Sequence, residues 1–185
     1  MKKLDLTNVQ EATDGFNRHP AGPYICKITS VEDIPDKEYL KVGFDIAEGE
    51  FAGYYSSGRD EHPDWGWYGK YTKSYKPTAL PMFKRFCSAV SKSNGSYIFD
   101  GGAANSNEAT LIGKKIGLMF CEEEYYGNDG NLKTRLIVSS EFPVDKIGEQ
   151  KTPSVKKVKE TAPASAANDG FMKIPDGAED TIPFG

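Results

Sequence analysis

The chain has 185 residues, of which 38% are hydrophobic and 12% aromatic, enough for one ordinary domain and a tail. A net charge of −4 argues against a uniformly basic nucleic-acid binder, so charge has to be considered segment by segment. Three widely spaced cysteines exclude a disulfide framework and a CxxC metal site. Neither an apolar signal-peptide segment nor a membrane-length apolar run is present, and we expect a soluble, cytoplasmic protein.

The first half of the chain predicts an arm followed by three strands. Residues 1–20 are polar and of mixed charge, which favours an N-terminal arm. Alternating side chains predict strands at residues 22–31 and 39–46, and the turn signal at residues 35–37 predicts that they pair as a hairpin. Residues 51–57, between Gly49 and Gly58, predict a third strand.

A helix and a second hairpin are predicted in the following part. Apolar residues recur at helical spacing from residue 80 to residue 90, Thr78 is a candidate cap, and Asn94-Gly95 ends the pattern. Residues 115–121 and 132–138 predict two strands, and the Asp129-Gly130 step between them is a strong hairpin signal. Three strands, one helix and two strands are the element order of the OB-fold, a five-stranded barrel. We therefore predict an OB-fold domain over residues 21–147.

Residues 148–185 predict a disordered linker and an acidic tail. The composition shifts to Lys, Thr, Pro, Ser and Ala, which cannot bury enough apolar area to offset the entropy of ordering. Lysines make the linker locally positive, whereas the last seventeen residues are acidic. The chain closes with Glu179-Asp180-Thr181-Ile182-Pro183-Phe184-Gly185, an apolar tip behind acids that is suited to capture by another protein.

The stretch of residues 65–86 combines seven aromatic and five basic residues and contains no acid. Single-strand binders need flat faces on which bases stack and cations near the phosphates. Phe83 and Phe86 fit the core of the predicted helix. Residues 65–76 match neither helix nor strand and predict a flexible loop. From this loop we predict nucleic-acid contacts by Trp65, Trp67, Tyr68, Lys70, Tyr71, Lys73, Tyr75 and Lys76.

Five residues outside this stretch are further candidates for the same surface. Tyr54, Tyr55 and Arg59 lie on or after the third predicted strand, where one of two adjacent tyrosines has to point outward. Lys133 and Arg135 share one face of the last strand, although surface charges need no function. Glu122-Glu123-Glu124 would repel phosphate, so we expect that end of the hairpin to lie away from the bound nucleic acid.

Catalytic and metal sites are not indicated. The two histidines, His19 and His62, lie far apart, and a metal site normally needs several well-placed ligands. No P-loop, GxSxG or HExxH motif is present. We expect a protein that is not an enzyme, with no cofactor and no bound metal.

The acidic ending in Ile182-Pro183-Phe184, together with the OB-like order and the aromatic-basic stretch, resembles the single-stranded DNA-binding proteins. The body resembles the divergent members carried by phages and mobile elements more than the standard bacterial protein. The resemblance implies sequence-independent binding and protection of single-stranded DNA. It also implies recruitment of replication, recombination and repair proteins by Glu179, Asp180, Ile182, Pro183 and Phe184. One departure is Gly185, since the family usually ends on the Phe itself.

Two alternatives remain open from the sequence. One is a protein-interaction adaptor or inhibitor that mimics the recruiting tail and binds no nucleic acid, which the net charge of −4 and the three adjacent glutamates favour. The other is a binder of RNA rather than DNA on the same fold. The oligomeric state is not indicated by the sequence, and a homo-oligomer is among the partners considered.

Overall fold

The computed structural model describes residues 18–64, 66–101 and 107–158. The chain forms, in order, β1 (Gly22–Ile34), β2 (Tyr39–Ile46), α1 (Tyr54–Glu61), β3 (Lys70–Ser74), α2 (Leu80–Ser93), β4 (Lys115–Tyr126) and β5 (Leu132–Phe142). Short 3-10 turns lie at Pro35–Lys37, Pro77–Ala79, Glu108–Leu111 and Val144–Glu149.

The five strands form one antiparallel sheet in the order β3-β2-β1-β4-β5. The central strand β1 pairs with β4 from Gly22 to Lys27 and with β2 from Cys26 to Ile34, with a register shift between Ile28 and Ser30. Both edge strands, β3 and β5, run in the direction of β1, because each lies two antiparallel steps away from it. No backbone pairing joins these edges within the described ranges, so the sheet is open, whereas a five-stranded barrel was expected.

The core lies between the sheet and the helices. Apolar side chains of the strands, such as Val42, Ile116 and Leu118, are fully buried together with Phe86 and Val90 of α2. The longest described helix, α2, has 14 residues. None of the described helices has the length and apolar character needed to span a bilayer.

Both predicted hairpins and the predicted helix are confirmed. The turn between β1 and β2 is the 3-10 segment Pro35–Lys37, followed by Glu38 with φ 55°. Helix α2 ends at Ser93, where Asn94-Gly95 was predicted to stop it. Strands β4 and β5 pair from Gly117↔Phe142 to Tyr126↔Leu132 around the predicted turn, so both are longer than expected. The sequence pattern therefore located these elements but underestimated the length of the second hairpin.

The prediction of a third strand at residues 51–57 is wrong, because residues 51–53 form a turn and helix α1 begins at Tyr54. Gly53 takes a left-handed conformation with φ 79° and begins the helix. The cap comes from β2: the Asp45 carboxylate accepts hydrogen bonds from the backbone N–H groups of Tyr55 at 2.9 Å and Ser56 at 3.1 Å. A helix whose cap lies ten residues away shows none of the local start signals that a sequence reveals.

The prediction of a loop over residues 65–76 is also wrong in its second half. Residues 70–74 form β3, which pairs with β2 from Gly43↔Lys70 to Tyr39↔Ser74. The alternation of inward apolar and outward polar side chains was not recognisable in the sequence, because an inward position is occupied by Lys73, a charged residue that is buried. Such a residue is stable inside only when it is paired, and its partner lies far along the chain.

The chain beyond β5 remains attached to the sheet for part of the predicted linker. The backbone N–H of Lys156 donates to Glu122 O at 2.8 Å, and the N–H of Glu124 donates to Lys156 O at 2.9 Å. This parallel bridge extends the edge of β4 beyond the point where β1 stops pairing with it. The packed part of the chain thus reaches into the segment that begins at residue 148.

Candidate nucleic-acid interface

An open groove of about 640 Å³ separates the two edge strands of the sheet. Residues 70–72 of β3 line one side and residues 135–138 of β5 line the other. Phe44 and Phe120, which belong to the core, contribute to its lining. The groove therefore runs along the gap between the two edge strands at these segments.

Aromatic side chains from α1 and from the turn before β3 form one wall of the groove. Tyr54 and Tyr55 of α1 meet edge to face with ring centroids 5.0 Å apart, and Tyr68 lies 5.0 Å from Tyr55. Tyr55 is buried, and burial raises the pKa of both Tyr55 and Tyr68. One of these two adjacent tyrosines was expected to point outward. Tyr54 is the more accessible of the two, and Tyr55 belongs to the core.

Trp67 is the most exposed aromatic residue of this wall, with 58% of its surface accessible. The ammonium of Lys41 on β2 lies 4.8 Å from the centroid of its ring, which is a cation–π contact. An exposed indole beside a lysine offers a flat face for a base and a cation for the adjacent phosphate.

Two glycines shape the turn that carries Trp67. A side chain at Gly58 would collide with the ring of Tyr68, so this glycine lets the turn lie against α1. Gly69 has φ 66°, a left-handed conformation that favours glycine, and its carbonyl accepts a hydrogen bond from the N–H of Phe44 at 2.8 Å. The turn that carries Trp67 is therefore held against α1 through Tyr68 and against β2 through Gly69.

The charged residues that line the groove, among those the structure describes, are all basic: Arg18, Lys70 and Arg135. Lys70 donates a hydrogen bond from Nζ to the carbonyl of Gly66 at 2.7 Å and lies at the edge of the groove. Arg135 donates from Nε and Nη2 to Glu123 Oε2 at 2.8 and 2.6 Å and lies 5.0 Å from the ring of Tyr125. Glu123 thereby partly neutralises Arg135, so Arg18 and Lys70 carry most of the groove's positive charge.

Lys73, which was predicted to contact phosphate, is instead buried in an ion pair. Its Nζ lies 2.7 Å from Glu141 Oε1, and the two side chains are only 8% and 3% exposed. Arg85 of α2 approaches the other carboxylate oxygen at 3.7 Å. This pair connects β3 to β5 where no backbone hydrogen bonds do, so Lys73 is not available to a ligand in this structure.

Tyr71 lies on the groove side of the same ion pair. Its ring is 5.7 Å from that of Phe44. Burial, and then the neighbouring Glu141 carboxylate, raise the pKa of Tyr71 well above its usual value. Tyr71 thus contributes to the lining of the groove from a largely internal position.

The remaining predicted contacts in the described part of the chain lie outside the groove or have other partners. Tyr75 donates its hydroxyl to Asp33 Oδ1 at 2.7 Å, and this hydrogen bond raises the pKa of Tyr75 to about 12. Lys76 is exposed beyond β3. Arg59 donates to the carbonyls of Phe44 and Tyr68 at 3.4 and 3.5 Å. Lys133 pairs with Asp129 at 2.8 Å. The groove therefore unites Tyr54, Tyr55, Trp67, Tyr68, Lys70, Tyr71 and Arg135.

Residues 18–20, assigned to the arm by the sequence, are part of the site. His19 is 1% exposed, and its Nε2 lies 2.7 Å from the hydroxyl of Tyr55. Arg18 donates from Nη1 to the carbonyl of Thr134 on β5 at 2.7 Å. No local pattern marks these residues, because their partners come from α1 and β5.

Several of the predicted site residues lie outside the described part of the chain. These are Trp65 and the predicted partner-binding residues Glu179, Asp180, Ile182, Pro183 and Phe184. Among the described residues, no three His, Cys, Asp or Glu side chains are grouped so that they could hold a metal ion.

The sequence was compared with models of known protein families and with curated proteins, and neither comparison found a match.

Proposed function

We propose that the protein binds single-stranded DNA without sequence preference and without catalysis, in the groove between β3 and β5. The observation that carries the proposal is the lining of this groove. It presents an exposed Trp67 and several tyrosines, and its described charged residues are all basic. Stacking contributes roughly 1–3 kcal/mol per base and tolerates any sequence, because every base has a π-face.

We further propose that the domain is an OB-fold. The connectivity β1-β2-β3-α2-β4-β5 is that of the OB-fold, with α1 inserted between β2 and β3. OB-folds are partly open barrels, and the gap lies here between β3 and β5, where the Lys73–Glu141 ion pair bridges the edges. We propose that the open sheet is such a barrel and that the gap is its binding face.

The biological role that we propose follows from the tail. Beyond Lys156, which is paired with β4, the sequence is rich in lysine and small residues and then becomes acidic before Ile182-Pro183-Phe184. Such an ending can be held by a basic-rimmed apolar pocket on another protein, with Phe184 as anchor. The protein would then protect single-stranded DNA and recruit replication, recombination or repair proteins to it.

The test is a titration with oligo-dT followed by intrinsic tryptophan fluorescence. The full chain and a form ending at Val158 are compared, because the structure shows Lys156 paired with β4. We expect saturable quenching. The binding affinity should fall by about 0.7 logarithmic units per phosphate contact for each tenfold increase in salt concentration. The shortened form should bind at least as tightly, since it lacks an acidic segment that competes for the basic groove.

Other outcomes would redirect the proposal. Absence of quenching at low salt, with partners captured through Phe184, would favour the adaptor or inhibitor that binds no nucleic acid. Stronger competition by an RNA oligonucleotide than by DNA would assign the groove to RNA, because only RNA offers 2′-hydroxyl groups.

A further inference from the structure

The segment before β1 is anchored by a buried histidine. The Nδ1 of His19 lies 3.0 Å from the carbonyl of Pro20, and its Nε2 lies 2.7 Å from the hydroxyl of Tyr55. A carbonyl only accepts, so Nδ1 carries the proton and Nε2 accepts from Tyr55. The ring centroids of Tyr24 and Phe120 both lie 4.8 Å away. The neutral imidazole therefore has both nitrogens satisfied inside an aromatic cage.

This anchor determines where the preceding residue lies. Arg18 is exposed, lines the groove and reaches across it, donating from Nη1 to Thr134 O of β5 at 2.7 Å. A guanidinium has five N–H donors, so four remain for another acceptor. The side chain of Arg18 is thus held in the groove by its hydrogen bond to β5.

We propose that Arg18 is a phosphate-binding residue of the groove and that His19 is the positioning residue that holds it there. The inference rests on the proposed function and adds to it a strap, residues 18–20, which crosses from the α1 wall to β5. Because the backbone of the strap is fixed before the ligand arrives, little conformational entropy is lost when Arg18 meets a phosphate.

The experiment measures oligo-dT affinity of the full chain at several salt concentrations. Arg18→Ala should weaken binding several-fold and make the slope of log affinity against log salt shallower by about 0.7, the value for one phosphate contact on a single strand. Lys92→Ala is the matched control, because Lys92 is an exposed cation on α2 that does not line the groove, and its slope should equal that of the wild type.

The positioning role is tested by a double-mutant cycle. His19→Leu should reproduce the loss of slope seen in Arg18→Ala, and the double variant should lose no more than either single variant. Tyr55→Phe removes only the hydroxyl that donates to His19 and should reduce the salt slope in the same direction but by less. This variant takes the place of His19→Leu if His19→Leu does not fold.

The possible failures can be told apart. A wild-type chain that does not bind oligo-dT overturns the proposed function. A wild-type chain that binds, with an unchanged slope in Arg18→Ala, overturns the assignment of Arg18 alone. Full additivity of His19→Leu with Arg18→Ala would show that His19 does not act through Arg18.

Discussion

The groove and a second cavity beside Tyr75 are of similar size but opposite charge. The groove has about 640 Å³, and the cavity has about 520 Å³. Tyr75, Phe83 and Phe99 line the cavity, so both regions are rich in aromatic residues. The charged residues that line the cavity are Asp33, Asp100 and Glu108, all acidic, within the part of the chain that the structure describes. Aromatic content alone therefore does not identify a site for a polyanion, and the sign of the lining charge separates the two.

Strand β3 links these two regions. Residues 70–72 line the groove, Lys73 is buried against Glu141, and Tyr75 reaches the acidic cavity. One continuous aromatic and basic stretch thus contributes to a binding face, to the interior and to a surface that repels phosphate. Substitutions in these three environments should therefore have different effects on stability and on binding.

The largest effect is expected from breaking the buried ion pair. Lys73→Met leaves the Glu141 carboxylate buried without its main partner, which should lower the free energy of unfolding by about 3–5 kcal/mol. Urea denaturation measures this change in the free energy of unfolding. Lys76→Met, three residues further on and exposed, should change stability by no more than about 0.5 kcal/mol. Equal effects of both variants would contradict the internal role of Lys73.

The next effect concerns stacking. Trp67→Ala should weaken oligo-dT binding by about 1–3 kcal/mol at any base composition, whereas Trp67→Phe should retain part of the affinity. Tyr75→Ala, in the acidic cavity, is the matched control and should bind like the wild type at a temperature where it is folded. Fluorescence anisotropy of a labelled oligonucleotide measures all three variants. A larger loss of affinity for Tyr75→Ala than for Trp67→Ala would indicate that the DNA binds at the acidic cavity and not in the groove.

A smaller effect is expected from single charges on the two surfaces. Lys70→Gln should make the salt dependence of binding shallower by about 0.7 in log–log slope, because one phosphate contact is lost. Asp33→Asn, which removes a carboxylate from the acidic cavity, should leave both slope and affinity unchanged. The comparison is made by titrations between low and moderate salt, and a change of slope only in Asp33→Asn would place the DNA in the cavity.

The smallest effect is a pH dependence of stability caused by His19. Burial lowers the pKa of His19 from its usual 6.5, so the folded state favours the neutral ring and the unfolded state binds the proton more readily. This stabilisation is present above pH 6.5 and is lost as the pH falls from there through the lowered pKa of the folded state. The wild type should therefore lose more stability than His19→Phe between pH 7.5 and 5.5 in urea denaturation. Equal losses of stability in the wild type and in His19→Phe over this pH range would contradict the prediction.

The elements that the sequence predicted correctly are those whose causes are local. Alternation in β1 and β2, helical spacing in α2 and the Asp129-Gly130 turn all lie within the segments they define. Helix α1 was missed because its cap, Asp45, belongs to β2. Strand β3 was missed because its inward Lys73 depends on Glu141, 68 positions later.

The candidate site follows the same rule. Trp67, Tyr68 and Lys70 could be selected from the sequence because they are closely spaced aromatic and basic residues in an acid-free stretch. Arg18 and His19 could not, since their partners lie on α1 and β5. Residues that meet only through the tertiary fold leave no spacing for a sequence to reveal.

The central claim is that single-stranded DNA lies between β3 and β5 and avoids the acidic cavity. Hydrogen–deuterium exchange of the full chain with and without oligo-dT tests it most directly. We predict slower exchange on binding at residues 70–72 and 135–138, which line the groove, and no change around Asp33 and Glu108. Slower exchange around the acidic cavity, with none in the groove, would contradict the proposal.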